Sequence, residues 1–256
     1  MNKYLESQEF GSGKTVLILH GFLGSSDNWR QIAKIHFNTY NVHLIDLRNH
    51  GNSFHDPELN YEVMTKDVSH YINEKNLNNI TLIGHSMGGK VAMQLASEVT
   101  NITSLIIVDI APREYKPHHE DVLNALRYSN LNDATTITEC ENEFAKYITN
   151  KLIRLFLIKN LKRNSNKGFE WKINTNYLID NYQNIMLNPT LSKNINIPTL
   201  FIKGEHSDYI NNKDIEFIKK SFQNVKIKII NGVGHWVQAE KPEEFSNEVK
   251  GFLNEL

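Results

Sequence analysis

Three residue types that together activate a nucleophile occur in this chain in a workable order: Ser86, the carboxylates Asp109 and Asp208, and His235. A serine hydroxyl is a weak nucleophile at neutral pH and needs a base within hydrogen-bond reach. That base needs an acid to orient it and to stabilise its protonated form. Ser86 lies in Gly84-His85-Ser86-Met87-Gly88-Gly89, between the apolar run Ile80-Thr81-Leu82-Ile83 and the helix formers of 90–98. A serine in G-x-S-x-G between a strand and a helix sits on a sharp turn that lifts its hydroxyl from the sheet's carboxyl edge. Glycines two residues before and after remove the β-carbons that would clash there.

The base is expected at His235, in Asn231-Gly232-Val233-Gly234-His235-Trp236, a loop between the last strand and the last helix. The residues alone leave two acids open. Asp109 ends the strand beside the one carrying the nucleophile, where it could equally serve a turn ahead of Pro112. Asp208, in Gly204-Glu205-His206-Ser207-Asp208, follows the next strand, where it could cap a helix starting at Ile210. The attacked carbonyl also needs preorganised donors. One is the N–H of Met87, at a helix start where the helix dipole helps. The other is the N–H of Phe22, in His20-Gly21-Phe22-Leu23-Gly24, with His20 holding the loop rather than reacting. Leu23, His85, Tyr209 and Trp236, as neighbours of these groups, are expected to line the substrate pocket beside Phe22.

Strands and helices must alternate to bring such distant residues to one edge, and they do. The pattern predicts strands at 15–19, 41–46, 79–83 and 104–110, with helices at 28–36 (opened by Asp27), 61–75 and 86–98. The strands are continuous apolar runs, as in a parallel sheet covered on both faces, so the order predicts a doubly wound, mostly parallel α/β fold. Residues 112–196 break the pattern. They read as a mainly helical insertion, with a Thr136/Glu139 capping box, amphipathic pieces at 151–161 and 177–187, and an extended stretch at 168–173. Alternation resumes with strands at 199–203 and 226–230 and helices at 210–221 and 242–253. The expected organisation is a core of 1–111 and 197–256, roofed by the insertion where open α/β sheets bind ligands.

The chain has 256 residues, a net charge of −1 and 40% hydrophobic residues. That balance carries no footprint for nucleic acid or an anionic membrane. Cys140 is the only cysteine, which excludes an internal disulfide and a cysteine-based metal site. Residues 1–10 lack the apolar core of a signal peptide, and no apolar run is long enough to span a bilayer, so a soluble cytoplasmic protein is expected. His118 and His119 are adjacent and so ill-placed to share an ion from a helix. Asp46 to Ser53 reads as a hydrogen-bonded turn. The apolar residues of 151–161 read as packing of the insertion, with interfacial membrane contact the weaker alternative because flanking charges are few. Frequent asparagine reads as compositional bias.

His20-Gly21-Phe22, Asp46-Leu47-Arg48-Asn49-His50-Gly51-Asn52-Ser53, the Ser86 hexapeptide and Gly234-His235-Trp236, in that order, resemble the α/β-hydrolase family. Val108-Asp109-Ile110-Ala111-Pro112 and 232–242 are similar to a compact branch of bacterial esterases and acyl-thioesterases related to a mitochondrial hydrolase of animals. That resemblance implies Asp109 as the triad acid, with Ser207 standing where the wider family keeps its acid. It implies an inserted helical lid and a serine hydrolase acting on small acyl esters or thioesters through an acyl-enzyme, with no cofactor or metal. A lyase or perhydrolase on the same scaffold, and a ligand-binding protein of this fold, are the other readings.

Overall fold

The computed structural model describes residues 4–256; Met1–Lys3, within the expected core and the polar N-terminal stretch, lie outside it. The first half contains β1 (Ser7–Phe10), β2 (Thr15–Leu19), α1 (Arg30–His36), β3 (Asn41–Ile45), α2 (Tyr61–Glu74), β4 (Ile80–His85), α3 (Met87–Glu98) and β5 (Ile102–Val108). Residues 112–196 hold α4 (Glu120–Tyr128), α5 (Ile137–Ala145), α6 (Lys151–Ile158), the hairpin β6 (Leu161–Arg163) and β7 (Phe169–Trp171), α7 (Thr175–Asp180) and α8 (Tyr182–Met186). The chain ends with β8 (Thr199–Gly204), α9 (Asn212–Ser221), β9 (Val225–Ile230), α10 (Val237–Glu240) and α11 (Pro242–Asn254).

Seven strands form one sheet in the order β1-β3-β2-β4-β5-β8-β9. Among the described residues, β1 is the only strand of this sheet antiparallel to its neighbour. Side chains alternate across the pleat. Val16, Ile18, Val42, Leu44, Ile83, Ile106 and Ile202 join α1 and α11 through Trp29, Ile32, Phe245 and Val249. Leu17, Leu19, Ile45, Leu82, Leu105 and Ile107 face α2 and α3. That second cluster runs on without a break into Val122, Phe144, Leu157, Leu178 and Tyr182. Residues 112–196 therefore share a core with one face of the sheet while adding no strand to it.

Several local expectations need correction. Asp27 does not open a helix: it lies in a 3₁₀ turn at Ser26–Asn28, and α1 starts at Arg30. Helix α6 stops at Ile158, and Leu161 opens a hairpin instead. The helix expected at 177–187 is two short ones broken at Asn181. Polar β1 was not foreseen; it is an edge strand whose register follows from pairing with β3. Helix α3 is buried all round through Ser97, because the chain at 186–192 covers the side a one-faced reading leaves to solvent. Lys90 donates to the carbonyls of Met186 (3.2 Å) and Leu187 (2.5 Å), Gln94 accepts from Thr190 N, and Ser97 accepts from Ser192 N.

Asparagine is more than bias. Asn60, Asn150, Asn174 and Asn211 accept backbone N–H groups at the starts of α2, α6, α7 and α9. Asn160, Asn181 and Asn184 donate across the seam to the carbonyls of Leu23, Pro57 and Leu59. A side-chain amide both donates and accepts, so it can satisfy backbone that no ladder reaches.

Candidate active site

Ser86 follows β4 with φ 51° and ψ −119°, a left-handed geometry that costs a side chain of this kind energy. The elbow is held from both directions. Ser86 N donates to Val108 O of β5, and Gly89 and Lys90 N–H groups bond to Ser86 O. A β-carbon on Gly88 would lie 2.4 Å from His20 O and 2.6 Å from Leu19 O, so only glycine lets α3 start this close to β2. Gly21 is similarly pinned: a β-carbon there would meet the His85 ring at 2.9 Å and the Ser86 β-carbon at 3.2 Å. The loop carrying Phe22 thus lies directly against the elbow. Among the described residues, nothing accepts a hydrogen bond from the N–H of Phe22 or of Met87. Met87 N belongs to the first turn of α3, where N–H groups have no intrahelical partner.

Asp109 follows β5 and also has a positive φ, 50°. It is fully buried, and its N–H donates to Ile202 O of β8. One carboxylate oxygen accepts from Gly204 N at 3.0 Å; the other accepts from Ser207 Oγ and sits 2.8 Å from His235 Nδ1. An ionised carboxylate is acceptor-only, so these three donors match its capacity. A proton on Nδ1 directed at Asp109 leaves Nε2 of His235 as the free, basic ring nitrogen. Asp208 is exposed and, among the described residues, has no contact with His235; it does not cap α9 either, a role Asn211 takes.

His235 is fixed from two more sides. Tyr209 lies flat on its ring, 3.8 Å between centroids and 16° between planes. Tyr115 OH donates to Tyr209 O at 2.6 Å, which holds that residue in place. His85 Nε2 lies 3.0 Å from the His235 carbonyl, its ring 4.7 Å from the His235 ring. Burial holds the His85 imidazole far below the ordinary histidine pKa, so it is neutral and can donate to that carbonyl. His20 is likewise driven down to about 4 by burial; its Nε2 accepts from Leu47 N, so it fixes a loop. In the Asp46–Ser53 turn, Asp46 accepts from Ser26 N and Asn52 N, while Arg48 grips Asp67 with two bonds.

Ser86, His235, Phe22 and Met87 line one cavity of about 590 Å³, and Leu23, His85, Tyr209 and Trp236 line it too. Such a volume suits a small-molecule ligand. Residues 112–196 form its far side: Phe156 of α6 packs on Trp236 at 5.8 Å, and Tyr182 and His119 pack on Phe22 at 5.8 and 6.0 Å. His118 Nε2 meets Tyr209 OH and His119 Nδ1 meets Tyr182 OH, both at 2.7 Å, so this pair serves tyrosines. Burial drives His119 down to about 3, which keeps it neutral.

Two residues at the site were not assigned these roles by the sequence. Ser207, which the resemblance puts where an acid is usual, donates to Asp109 instead. Lys90 was legible by position, four residues after Ser86 and so on the same helix face. It lines the cavity with its ammonium over the rings of Tyr115 (4.7 Å) and Tyr61 (5.3 Å). Burial, with Arg113 nearby, lowers its pKa to about 7.

Residues 14–242 match the family described as alpha/beta hydrolase fold. The chain is 33% identical over 252 residues to the sn-1-specific diacylglycerol lipase ABHD11 of Danio rerio, covering 95% of this chain and 79% of that one. It is 30% identical over 251 residues to esterase YbfF of Escherichia coli, covering 97% and 96%. A solved marine microorganism esterase superposes with a TM-score of 0.94 at 39% identity, covering 98% of this chain and all of that one. The chain belongs to the α/β-hydrolase family.

Proposed function

We propose that this chain is a serine hydrolase that cleaves carboxylic esters or thioesters through an acyl-enzyme on Ser86. The observation that carries the proposal is the 2.8 Å contact of His235 Nδ1 with buried Asp109, beside a cavity that Ser86 also lines. The similarity to proteins named esterase and lipase supports the ester class.

Ser86 Oγ attacks the acyl carbon as His235 Nε2 takes its proton. The carbonyl oxygen, now anionic, accepts from the N–H groups of Phe22 and Met87. The bond to the leaving oxygen or sulfur then breaks, and His235 gives it the proton. A water, deprotonated by His235, attacks the acyl carbon, and Ser86 leaves with that proton restored. Asp109 holds the ring and balances its positive charge throughout, while Asp208 takes no part. Residues 112–196 act as the roof over the acyl pocket lined by Leu23, His85, Tyr209 and Trp236.

Labelling with a fluorophosphonate probe tests the mechanism. Wild type should label on Ser86, and Ser86→Ala should not label. A wild type that turned over esters while unlabelled would overturn the acyl-enzyme. Parallel turnover of p-nitrophenyl esters and acyl-CoA assigns oxygen against sulfur leaving groups.

A further inference from the structure

The whole-chain charge conceals a local one. Residues 151–172 carry seven Lys or Arg and a single acidic residue, Glu170, although the chain as a whole is at −1. The cations lie on two consecutive elements, α6 and the β6–β7 hairpin, and of these Lys159 lines the Ser86 cavity while Lys162 and Lys172 line a second hollow beside 51–53. The stretch 151–161 itself holds three of these cations, Lys151, Arg154 and Lys159, and no acidic residue.

Some of the cations are occupied. Arg154 reaches Glu141 and two carbonyls, Lys162 lies 3.2 Å from Glu170, Lys172 lies 3.9 Å from Asp27, and Arg163 covers the Phe169 ring. Among the described residues, Lys151, Lys159 and Lys167 are exposed and have no acidic partner.

Two of these, Lys151 and Lys159, flank an apolar face that is itself open to solvent. Leu152 is 60% exposed and Leu155 43%, whereas Leu157 on the opposite side is fully buried. Leu152, Leu155 and Lys159 follow at steps of three and four, so they form one stripe along α6. That stripe is no ordinary surface, since Leu152, Leu155 and Lys159 also line the rim of the cavity that holds Ser86. The inner face of the same helix reaches Trp236, next to His235, through Phe156.

Exposed leucines flanked by unpaired lysines are the pattern with which a short amphipathic segment rests on an anionic bilayer. We propose that the outer face of α6 docks the protein peripherally on anionic lipid. Leu152 and Leu155 enter the headgroup boundary and Lys151 and Lys159 meet lipid phosphates, so that the cavity mouth faces the acyl chains. The partner is identified by charge complementarity and by the continuity of the apolar stripe with the cavity. No bilayer is crossed: no helix among the described residues is long and apolar enough to do so. The acyl-ester reading supplies the purpose of docking, and docking is detected without turnover.

Flotation of the full chain with phosphatidylglycerol vesicles, against phosphatidylcholine vesicles, tests this. Wild type should float with the anionic vesicles at low salt and be released near ~1 M salt, where screening shortens to ~3 Å. The Lys151→Gln/Lys159→Gln double variant should bind about thirtyfold more weakly. Leu152→Asn/Leu155→Asn should lose binding while keeping its melting temperature, since both side chains are exposed. Absence of wild-type flotation on phosphatidylglycerol overturns the proposal, as does equal binding to the two vesicle types or wild-type binding by both variants. A catalytically silent protein that still floats would instead count against the acyl-enzyme alone.

Discussion

The sheet with its elbow and the segment 112–196 both contribute to one cavity, but they are held by different means. Strands β2, β4 and β5 are buried on both faces, and the elbow is packed until a single added β-carbon would strike backbone. The segment 112–196 is built of short helices, none longer than nine residues, which share the sheet's apolar core and are tied to the loops around the cavity largely by side-chain amides and aromatic contacts. Backbone ladders tolerate almost no change, whereas side-chain ties can be exchanged one at a time. Ser86 and Asp109 stand on the first kind of support, whereas His235 and much of the remaining cavity wall stand on the second.

Substitutions should separate the two regions by size of effect. Asp109→Asn should lower turnover by about 10⁴ by leaving His235 wrongly oriented, while Asp208→Asn should change it less than about twofold. Ester turnover checks both, and equal small losses would break the assignment of the acid. Gly88→Ala should destabilise by about 1–3 kcal/mol through overpacking against β2, lowering the melting temperature measured by calorimetry by several degrees. Thr136→Ala, which removes the α5 capping box from an exposed helix start, should cost about 1 kcal/mol and leave Ser86 labelling intact. A Thr136→Ala enzyme that no longer labelled would show the two regions to be one cooperative unit.

The seam between them has its own signature. Lys90 titrates at about 7 when folded and near its ordinary 10.5 when unfolded. Between those values the unfolded chain binds more protons, so this group makes stability rise with pH across that window. Below about 7 both states are charged, and the cost of burying the ammonium is present in full. Lys90→Met should remove that rise, seen as a flatter melting temperature between about pH 7 and 10. An unchanged slope would place the titration elsewhere.

The parallel strands and the elbow were legible because a strand buried on both faces must be apolar throughout, and because tight turns leave glycine in the sequence. That Ser86, His235 and Phe22 would meet at one cavity could be read from order alone. The rest depends on partners distant in the chain. Polar Ser7–Phe10 becomes a strand only once β3 is beside it. The Asn181 break follows from its bond to Pro57 O, 124 residues away. The choice between Asp109 and Asp208 came from resemblance in the sequence, because the residues at either position allow a turn, a cap or an acid. The bonds Asp109 makes to Gly204 and Ser207 span 95 and 98 residues.

Ser86 and Asp109 stand at the ends of adjacent strands, and each donates its N–H to the next strand over, to Val108 O and Ile202 O. Each of the two left-handed residues thus extends the hydrogen bonding between parallel strands. Their amide protons should exchange with solvent only when the central sheet comes apart, with protection equal to that of the slowest amides in β4 and β5. The backbone geometry at Ser86 and Asp109 should then last as long as the central sheet, and its thermal loss and global unfolding should share one rate constant.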